Sequence, residues 1–505
     1  MLERDETVNP YKYVKDTPYR LYINGEFVPS QSGETIELIN PVNNEKFATV
    51  YKGGKAEVEK AIVAARDAFD RGPWGRMTNY QRSKLLLKAH ELMAERLEEL
   101  AALEALNGGK IYSGCLHYDA VKGLDGLQYS AGQARCLEGK VIPVDGGGRF
   151  LNYVIWQPRG VVAEILPWNC PLMMGTINAA AALAAGNTVI IKPSSWTPLS
   201  MLVMAEIFHE AGFPPGVVNI ITGSGAHVGS ALVESPRVDF ISLTGGTETG
   251  REIIAQSSAT IKDIALELGG KSPNIIFPDI QWEAAVKWAR SAFTMSSGQI
   301  CVAGTRLILH RSIYDEFLEN LKAECEKLVP GDGFHEDKGV NLPPLIHKDH
   351  AARVWGYIEK AKAEGARLIT GGVPYSDPVL AKGNFVPPTI FADVTPEMTV
   401  FREEIFGPVL AVTPFDTERE AIDLANNTPF GLAGAVFTND GRRALRVAEA
   451  IHAGQIYVNT YFSKGIVESP GIGWKDSGLG AGGIQRYMRQ KTIFVDINEE
   501  IITPP

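Results

Sequence analysis

Between residues 161 and 266, short runs of β-branched and apolar residues alternate with longer stretches of helical periodicity. The short runs occupy residues 161–165, 188–191, 217–221, 240–243 and 261–266. This alternation predicts right-handed βαβ units that form a parallel sheet. Ligands bind such sheets beyond the carboxyl ends of the strands, which is where Lys192, Gly223 and Gly245 fall.

A second α/β pattern begins after Glu267. Helical periodicity recurs around residues 282–296, 315–328 and 351–364, and strand-like runs lie around 306–309 and 409–412. We expect this half to form a second α/β domain that carries Cys301.

Three other segments predict simpler elements. Apolar residues at helical spacing from Leu86 to Leu100 predict core helix that stops at residues 107–109. Residues 139–143 and 150–156 predict two strands around a glycine-rich turn. The most membrane-like stretch, residues 172–191, contains two asparagines and changes character halfway, so we interpret it as a buried helix followed by a strand.

Composition indicates a globular protein that acts on small molecules. The 505 residues, 45% hydrophobic and 21% charged, suggest about two to four domains. A net charge of −10 argues against nucleic-acid binding, which depends on clustered lysine and arginine. Five cysteines without paired spacing argue against a disulfide framework or a cysteine zinc site and fit a reducing cytoplasm. The charged first six residues do not resemble a secretory signal, and we expect no membrane partner.

Two thiols are candidate nucleophiles. Cys301 and Glu267 both lie in glycine-bearing segments, which suggests a nucleophile and its base. Cys170 lies between a strand end and a predicted helix with Pro171 in its first turn, a place that lowers the pKa of a thiol. From the residues alone, both thiols remain candidates.

Histidines and glycines supply three further motifs. His347 and His350 resemble a metal pair but lack the one-turn helical spacing of a zincin site, so we expect a helix start and no metal. The loop at 223–229 approximates a dinucleotide glycine loop with one residue too many. The loop at 245–250 follows a strand and opens a helix, where free N–H groups favour a pyrophosphate. Either loop could hold phosphate.

Six short segments occur in a fixed order along the chain. Their sequences are PWNCP (167–171), KPSS (192–195), LTGGTETG (243–250), ELGGKSP (267–273), GQICVAGTR (298–306) and EEIFGP (403–408). Taken together they resemble the aldehyde dehydrogenase superfamily, and the likeness extends from about residue 22 to residue 478.

The resemblance implies an α/β fold with two Rossmann-like parallel-sheet domains and a small β oligomerisation arm. The coenzyme-binding domain would comprise residues 1–137 and 157–266, the catalytic domain residues 267–477, and the arm residues 138–156 and 478–505. Such an arm implies a homo-oligomer, either a dimer or a tetramer.

The resemblance also implies a reaction, the oxidation of an aldehyde to the carboxylic acid with NAD or NADP. Cys301 would attack the aldehyde, and Asn169 with the Cys301 N–H would stabilise the oxyanion. Loss of a hydride would leave a thioester, and Glu267 would activate the water that hydrolyses it. The family pattern thus favours Cys301 over Cys170, and Lys192 completes the expected catalytic set.

By resemblance, the coenzyme contacts are spread over both domains. They are Ile165, Trp168, Lys192, Ser195, Gly225, Gly229, Thr244, Gly245, Gly246, Thr249, Leu268, Glu404 and Phe406. Ser195 stands where NAD-selective members usually carry a glutamate that repels a 2′-phosphate, so NADP should be tolerated or preferred. Gly246 departs from the serine common at its position, which removes one hydroxyl contact.

The substrate tunnel is implied by the same resemblance. Its expected lining is Met174, Ile177, Ile300, Val302, Tyr461 and Phe462, followed by Ser463 and Lys464. An apolar lining favours an aliphatic or aromatic aldehyde, whereas Lys464 could receive a semialdehyde carboxylate. After Gly480 the usual Arg-Glu pair is absent and the segment is shortened, which puts the local packing in question.

Two alternative functions stay open. In a CoA-acylating semialdehyde dehydrogenase, CoA takes the acyl group and no base is needed, so Glu267 argues against it. A silent structural homologue would not need Cys301, Glu267 and Asn169 together.

Overall fold

Two large sheets flanked by helices organise the chain. The computed structural model describes residues 8–145, 149–462, 467–469, 471, 473–480 and 482–500. Its strands are β1 (Leu21–Ile23), β2 (Glu26–Val28), β3 (Thr35–Asn40), β4 (Glu45–Tyr51), β5 (Lys140–Val141), β6 (Phe150–Pro158), β7 (Val161–Ile165), β8 (Thr188–Lys192), β9 (Val218–Ile220), β10 (Phe240–Thr244), β11 (Asp263–Glu267), β12 (Pro273–Ile276), β13 (Arg306–His310), β14 (Arg367–Thr370), β15 (Thr389–Ala392), β16 (Val409–Phe415), β17 (Phe430–Gly431), β18 (Ala433–Phe437), β19 (Gln455–Val458), β20 (Trp474–Lys475), β21 (Gly478–Leu479) and β22 (Met488–Asp496).

Helices connect most of these strands. They are α1 (Lys55–Asp70), α2 (Asn79–Glu95), α3 (Leu97–Gly108), α4 (Tyr112–Gly114), α5 (Val121–Arg135), α6 (Pro171–Ala184), α7 (Leu199–Glu210), α8 (Ser230–Glu234), α9 (Thr247–Ser257), α10 (Trp282–Thr294), α11 (Tyr314–Glu326), α12 (Lys348–Ala363), α13 (Thr399–Arg402), α14 (Glu418–Asn426) and α15 (Gly441–Ala450). Among the described residues, none of the helices has both the length and the apolarity needed to cross a bilayer.

The first sheet has the order β2-β1-β9-β8-β7-β10-β11-β21. Its five neighbouring strands β9, β8, β7, β10 and β11 run parallel. These five parallel strands correspond to the five runs predicted from the sequence. Strands β7, β8 and β10 are buried along their whole length, because helices cover both faces of a parallel sheet.

The second sheet has the order β14-β15-β16-β13-β12-β18-β19, with only β14 antiparallel among the pairings described. It contains the predicted strands at 306–309 and 409–412 and is flanked by α10, α11 and α12. The α/β fold with two parallel-strand sheets expected from the sequence is therefore confirmed.

A separate three-stranded sheet forms the arm. Strand β22 pairs with β6 from Met488–Pro158 to Asp496–Phe150, and β5 pairs with the other edge of β6. The predicted turn at residues 146–148 lies outside the described residues. Apolar side chains that stay exposed on this sheet include Phe494 and Val141.

The helical stretch predicted from Leu86 to Leu100 is two helices rather than one. Arg96 leaves helical geometry between α2 and α3, at φ −115° and ψ 18°, while its guanidinium binds Glu99 and Glu206 at 2.7 and 2.8 Å. The predicted stop is correct, since Gly109 adopts φ 65° directly after α3. Residues 172–191 form α6 and β8, as expected from their change of character.

Residues 268–272 connect the two sheets, because β11 ends at Glu267 in one and β12 begins at Pro273 in the other. On the β11 side, Glu164, Ser242 and Ala265 stand in register on neighbouring strands. Glu267 lies on the same face two residues further along, since successive side chains alternate between faces. The turn Ile484–Tyr487 covers this face.

Candidate active site

The loop that carries Cys301 begins with a tight left-handed turn. Ser296, Ser297 and Gly298 have φ of 48°, 53° and 72°. A side chain on Gly298 would collide with the carbonyl oxygen of Gly407. Because left-handed geometry costs a non-glycine residue about 1–2 kcal/mol, the surrounding contacts must hold this turn in place.

Gln299 supplies those contacts. Its Nε2 donates to the carbonyls of Ser296 at 2.9 Å and Pro344 at 3.3 Å, and its Oε1 accepts from the Ile346 N–H at 2.9 Å. The side chain is almost fully buried, so each of these bonds is shielded from water. The backbone two residues before the thiol is thus fixed on both sides.

Cys301 itself is partly exposed and lies against the segment between the sheets. A Cβ on Gly270 would come within 2.5 Å of the Cys301 carbonyl oxygen, so this close approach requires glycine. Burial, together with the charges of the Glu404 and Glu267 carboxylates, raises the pKa of the Cys301 thiol to about 12. Little thiolate exists at neutral pH in this state, and a nearby base must take the proton as the sulfur reacts.

Asn169 points its amide toward the same loop. Its Nδ2 donates to the Gln299 carbonyl at 2.9 Å, and Lys110 Nζ donates to the Asn169 carbonyl at 2.9 Å. The neighbouring Cys170 donates to Asn169 Oδ1 at 3.5 Å. Burial raises the pKa of Cys170 well above its ordinary value, so the lowering expected from the start of a helix is wrong.

Glu267 is a buried carboxyl at the end of β11. Its Oε1 accepts from Arg486 Nη2 at 2.8 Å, and its Oε2 accepts from the Gly473 N–H at 3.4 Å. Burial raises the pKa of Glu267 above its ordinary value, although the charge of Arg486 opposes the shift. A carboxyl whose pKa moves toward neutrality is suited to general-base chemistry.

Lys192 and Ser195 lie at the carboxyl end of β8. Lys192 is almost fully buried and donates to the Pro193 carbonyl at 3.2 Å, and burial lowers its pKa to about 8. Ser195 Oγ donates to the Gly223 carbonyl at 2.9 Å, which joins the two loops that follow β8 and β9.

The start of α9 fits a pyrophosphate. The N-cap residue Gly246 has no side chain to bind the first N–H groups of the helix, and a Cβ there would meet no atom within 4 Å. Thr244 Oγ1 is buried without a hydrogen-bond partner at the end of β10. Gly245 donates to the Glu267 carbonyl at 3.0 Å, and Thr249 is exposed in the first turn of α9. Open N–H groups and an unused hydroxyl are the donors that a dinucleotide needs.

Gly225 and Gly229 bound a separate turn of π-helix, which Ser224 caps. Gly225 is exposed and Gly229 is buried, and a Cβ on either would meet no atom within 4 Å. This turn follows β9 in the chain and begins two residues after Gly223, which accepts the hydrogen bond from Ser195.

Glu404 and Phe406 approach the site from the second sheet. Glu404 Oε1 accepts from the Gly270 N–H at 2.9 Å, and the Phe406 ring lies 5.2 Å from the Trp168 ring. Phe406 adopts φ 60°, and its carbonyl accepts from His350 Nε2 at 2.7 Å. Burial lowers the pKa of His350 to about 4, so the ring is neutral and donates. These contacts place an acid and an aromatic ring beside the thiol loop.

Ile165 and Leu268 close this side of the site as buried apolar residues. Leu268 also donates its N–H to the Ser477 carbonyl at 2.8 Å.

The expected tunnel residues lie on three elements. Met174 and Ile177 are on α6, Ile300 and Val302 flank the thiol, and Tyr461 and Phe462 follow β19. All are partly exposed except Tyr461, which is buried and donates from its hydroxyl to the Val302 carbonyl at 2.8 Å. The Tyr461 and Phe462 rings lie 4.9 Å apart. Ser463 and Lys464 lie outside the described residues.

His347 and His350 belong to the start of α12, as predicted. The His347 ring accepts from the Asp349 N–H and caps the helix, and it stacks on Trp196 at 5.1 Å.

Sequence reasoning missed several groups near the thiol. Tyr118 and Tyr457 lie close enough to Cys301 to interact with it electrostatically. Arg486, which binds Glu267, was also missed, although the shortened segment after Gly480 was a signal that the contacts there differ.

Comparison with known proteins gives consistent matches over almost the whole chain. The model of the aldehyde dehydrogenase family matches residues 27–493. The betaine aldehyde dehydrogenase of Bacillus subtilis (strain 168) is 41% identical over 481 residues, which cover 94% of this chain and 96% of that protein. Among solved structures, the NAD+ complex of an aldehyde dehydrogenase from Bacillus cereus has a TM-score of 0.92 at 40% identity, with 96% and 97% of the two chains covered. Betaine aldehyde dehydrogenase from Staphylococcus aureus in complex with NAD+ has a TM-score of 0.95 at 37% identity, with 98% of each chain covered.

Proposed function

The chain belongs to the aldehyde dehydrogenase family, whose members oxidise an aldehyde to the carboxylic acid with NAD(P)+, and we propose that Cys301 is the nucleophile of this reaction here. The observation that supports this role best is the position of its loop. The Asn169 amide donates to the carbonyl of Gln299, two residues before Cys301. Gly270, which lies three residues after Glu267, packs against the Cys301 carbonyl. The proposed nucleophile, oxyanion donor and base come from three separate segments; Asn169 contacts the loop of Cys301, and Glu267 interacts electrostatically with the thiol.

In the first half of the reaction, Cys301 Sγ forms a bond to the aldehyde carbon and its proton passes to Glu267. The Asn169 Nδ2 and the Cys301 N–H would then donate to the oxyanion. A bound nicotinamide would supply the hydride acceptor for this step, and loss of the hydride from the carbon would leave a thioester on Cys301.

Before the second half, Glu267 releases the proton of Cys301 to solvent and is again a carboxylate. It then takes a proton from a water molecule as the water attacks the thioester carbon. The bond between carbon and sulfur breaks, the sulfur regains a proton, and the carboxylic acid leaves. A CoA-acylating enzyme would not need this carboxyl, so the retained Glu267 favours hydrolysis.

NAD(P)+ fits the donor groups along the first sheet. Lys192 and Ser195 would hold the adenosine ribose, and the uncapped start of α9 with Thr244 would hold the pyrophosphate. Glu404 and Phe406 would hold the nicotinamide ribose. Because Ser195 carries no charge, we propose that NADP is accepted as well as NAD.

Replacing Ser195 with glutamate should lower kcat/KM for NADP by about tenfold or more and leave kcat/KM for NAD much less affected. The added carboxylate would repel the 2′-phosphate, and a repulsion of about 1.4 kcal/mol is a factor of ten. Initial rates with both coenzymes measure this. Ser195→Gln is the matched neutral control, and a similar loss of NADP activity in that variant would contradict the electrostatic explanation.

The partly exposed apolar lining supports an aliphatic or aromatic aldehyde as substrate. The tunnel residues would be Met174, Ile177, Ile300, Val302, Tyr461 and Phe462. Two of the relatives described above are betaine aldehyde dehydrogenases, so a cationic aldehyde belongs in the test panel.

A panel of aliphatic, aromatic, acidic and cationic aldehydes, each with NAD and NADP and with and without CoA, tests the proposed function. We expect NAD(P)H and the free carboxylic acid, in amounts that CoA does not change. Formation of acyl-CoA would favour the acylating reaction, and no NAD(P)H with any substrate would favour a silent homologue.

We also propose a division of the chain at the connection between the sheets. Residues 1–137 and 157–266 would form the coenzyme-binding domain, residues 267–477 the catalytic domain, and residues 138–156 and 478–505 the arm. The exposed apolar side chains of β5, β6 and β22 support a homo-oligomer, dimer or tetramer, built through the arm. All five cysteines of the sequence lie in the described part and are free thiols, which supports a cytoplasmic location.

A further inference from the structure

A buried cluster of charge lies behind the catalytic carboxyl. Arg486 is 8% exposed, and its Nη2 donates to Glu267 Oε1 at 2.8 Å. On the same face of the sheet, Glu164 is fully buried in β7 and interacts electrostatically with Arg486. One guanidinium therefore interacts with two carboxyl groups, and one of them, Glu267, also interacts electrostatically with Cys301.

The backbone that carries Arg486 is fixed to the sheet. Arg159 Nε donates to the Arg486 carbonyl at 2.8 Å, and the Arg159 N–H donates to the Tyr487 carbonyl at 3.2 Å. Asn187 Nδ2 donates to the same Tyr487 carbonyl at 3.0 Å. The Tyr487 ring packs against Phe240 at 5.5 Å. The backbone from which Arg486 extends is thus fixed to the sheet, and the guanidinium presents its positive charge to Glu267.

Stability alone does not account for this ion pair. Removing two charges from water costs several kcal/mol per ion, and apolar replacements of buried pairs are often as stable or more stable. The pair also belongs to the one carboxyl that the reaction needs as a base. A role in the reaction explains why a cation is buried at this point.

We propose, on the basis of the function proposed above, that Arg486 is a positioning residue that keeps Glu267 ionised and thereby sets the pH above which the acyl-enzyme is hydrolysed. The physical reason is that two opposing effects set the pKa of Glu267. Burial raises the pKa of this carboxyl, and Arg486 is the charge that lowers it. Without the guanidinium, the uncharged acid would be favoured up to a higher pH, and an uncharged acid cannot accept the proton of water.

Three other titratable groups of the described residues interact with this carboxyl or with its guanidinium partner. Cys301 faces it from the thiol loop, and a charged Glu267 raises the pKa of that thiol. Glu164 and Tyr487 lie on the far side of the guanidinium and interact with it. Burial raises the pKa of Glu164 to about 7, so this second carboxyl competes for Arg486 mainly in alkaline solution.

The test follows hydrolysis of the acyl-enzyme from pH 5.5 to 9.5 in the wild type, Arg486→Gln and Arg486→Lys. The acyl-enzyme is formed with aldehyde and coenzyme, and its decay is followed by rapid quenching and mass spectrometry of the intact protein. In Arg486→Gln we expect the midpoint of the rise in rate with pH to move up by about 1–3 units. The alkaline plateau should be retained, and Arg486→Lys, which keeps the charge, should return most of the shift.

Two outcomes would contradict these proposals in different ways. An unchanged midpoint in Arg486→Gln, with a uniform loss of rate at every pH, would overturn the inference and leave a merely structural role. Failure of the wild type to form NAD(P)H with any aldehyde of the panel would instead contradict the proposed function. If Arg486→Gln does not fold, the double variant Arg486→Met with Glu164→Gln removes one cation and one carboxyl together, and the same upward shift is expected there.

Discussion

Replacing Cys301 with alanine should lower kcat by about 10⁴-fold or more with every aldehyde that the wild type oxidises. Without the sulfur there is no tetrahedral intermediate from which a hydride can leave, and loss of a nucleophile removes most of the catalytic effect of its whole site. The variant should fold, since the loop is held by Gln299 and Gly270 rather than by the thiol. NAD(P)H formation under saturating substrate measures the loss.

Cys170→Ala is the matched control, because Cys170 is a second thiol close to the same loop. We expect kcat within about threefold of the wild type, since removing a neutral buried thiol removes no group that reacts. Steady turnover by the Cys301 variant, together with loss of turnover in the Cys170 variant, would move the nucleophile to Cys170.

Replacing Glu267 with glutamine should stop the reaction after a single hydride transfer. The amide keeps the shape of the side chain but cannot accept the proton of water, so hydrolysis of the thioester should slow by about 10²–10⁴-fold. One equivalent of NAD(P)H per active site would appear in a rapid burst and then almost no more. Mass spectrometry of the quenched protein would find the acyl group on Cys301.

The size and the rate of the burst distinguish two roles of Glu267, as the base for water and as the base for the Cys301 thiol. A full burst followed by slow turnover means that the carboxyl acts mainly on water. A burst slowed as strongly as the steady state would mean that Glu267 is also needed to deprotonate Cys301, whose pKa of about 12 makes that step demanding. Unchanged steady turnover would remove Glu267 from the mechanism.

The hydrophobic pattern predicted the first sheet well, because parallel strands buried on both faces leave continuous apolar runs such as residues 161–165. It predicted the ends of elements less well where a charged side chain intervenes. Arg96 leaves helical geometry between α2 and α3, and its guanidinium binds Glu99 and also Glu206, which lies more than a hundred positions away in the sequence.

The sequence identified Cys301, Asn169 and the glycine before α9 as candidates because each lies in a short motif, and their roles stay predictions. Arg486 was not identified, since it reaches Glu267 across 219 positions of sequence from a segment that departs from the family pattern. The protonation of these groups also could not be predicted, because the pKa of Cys170 depends on burial that only the folded chain creates.

The five residues between β11 and β12 restrict how this enzyme could be recombined with its relatives. Glu267 ends one sheet, and Gly269 and Gly270 then pack against Glu404 and Cys301 of the other half. A chimaera joined inside residues 268–272 would take the two sides of this close contact from different parents. Crossovers placed in exposed loops away from this connection should preserve both partners of that contact. In libraries built by exchanging segments, residues 267–272 and the Cys301 loop should therefore come from the same parent.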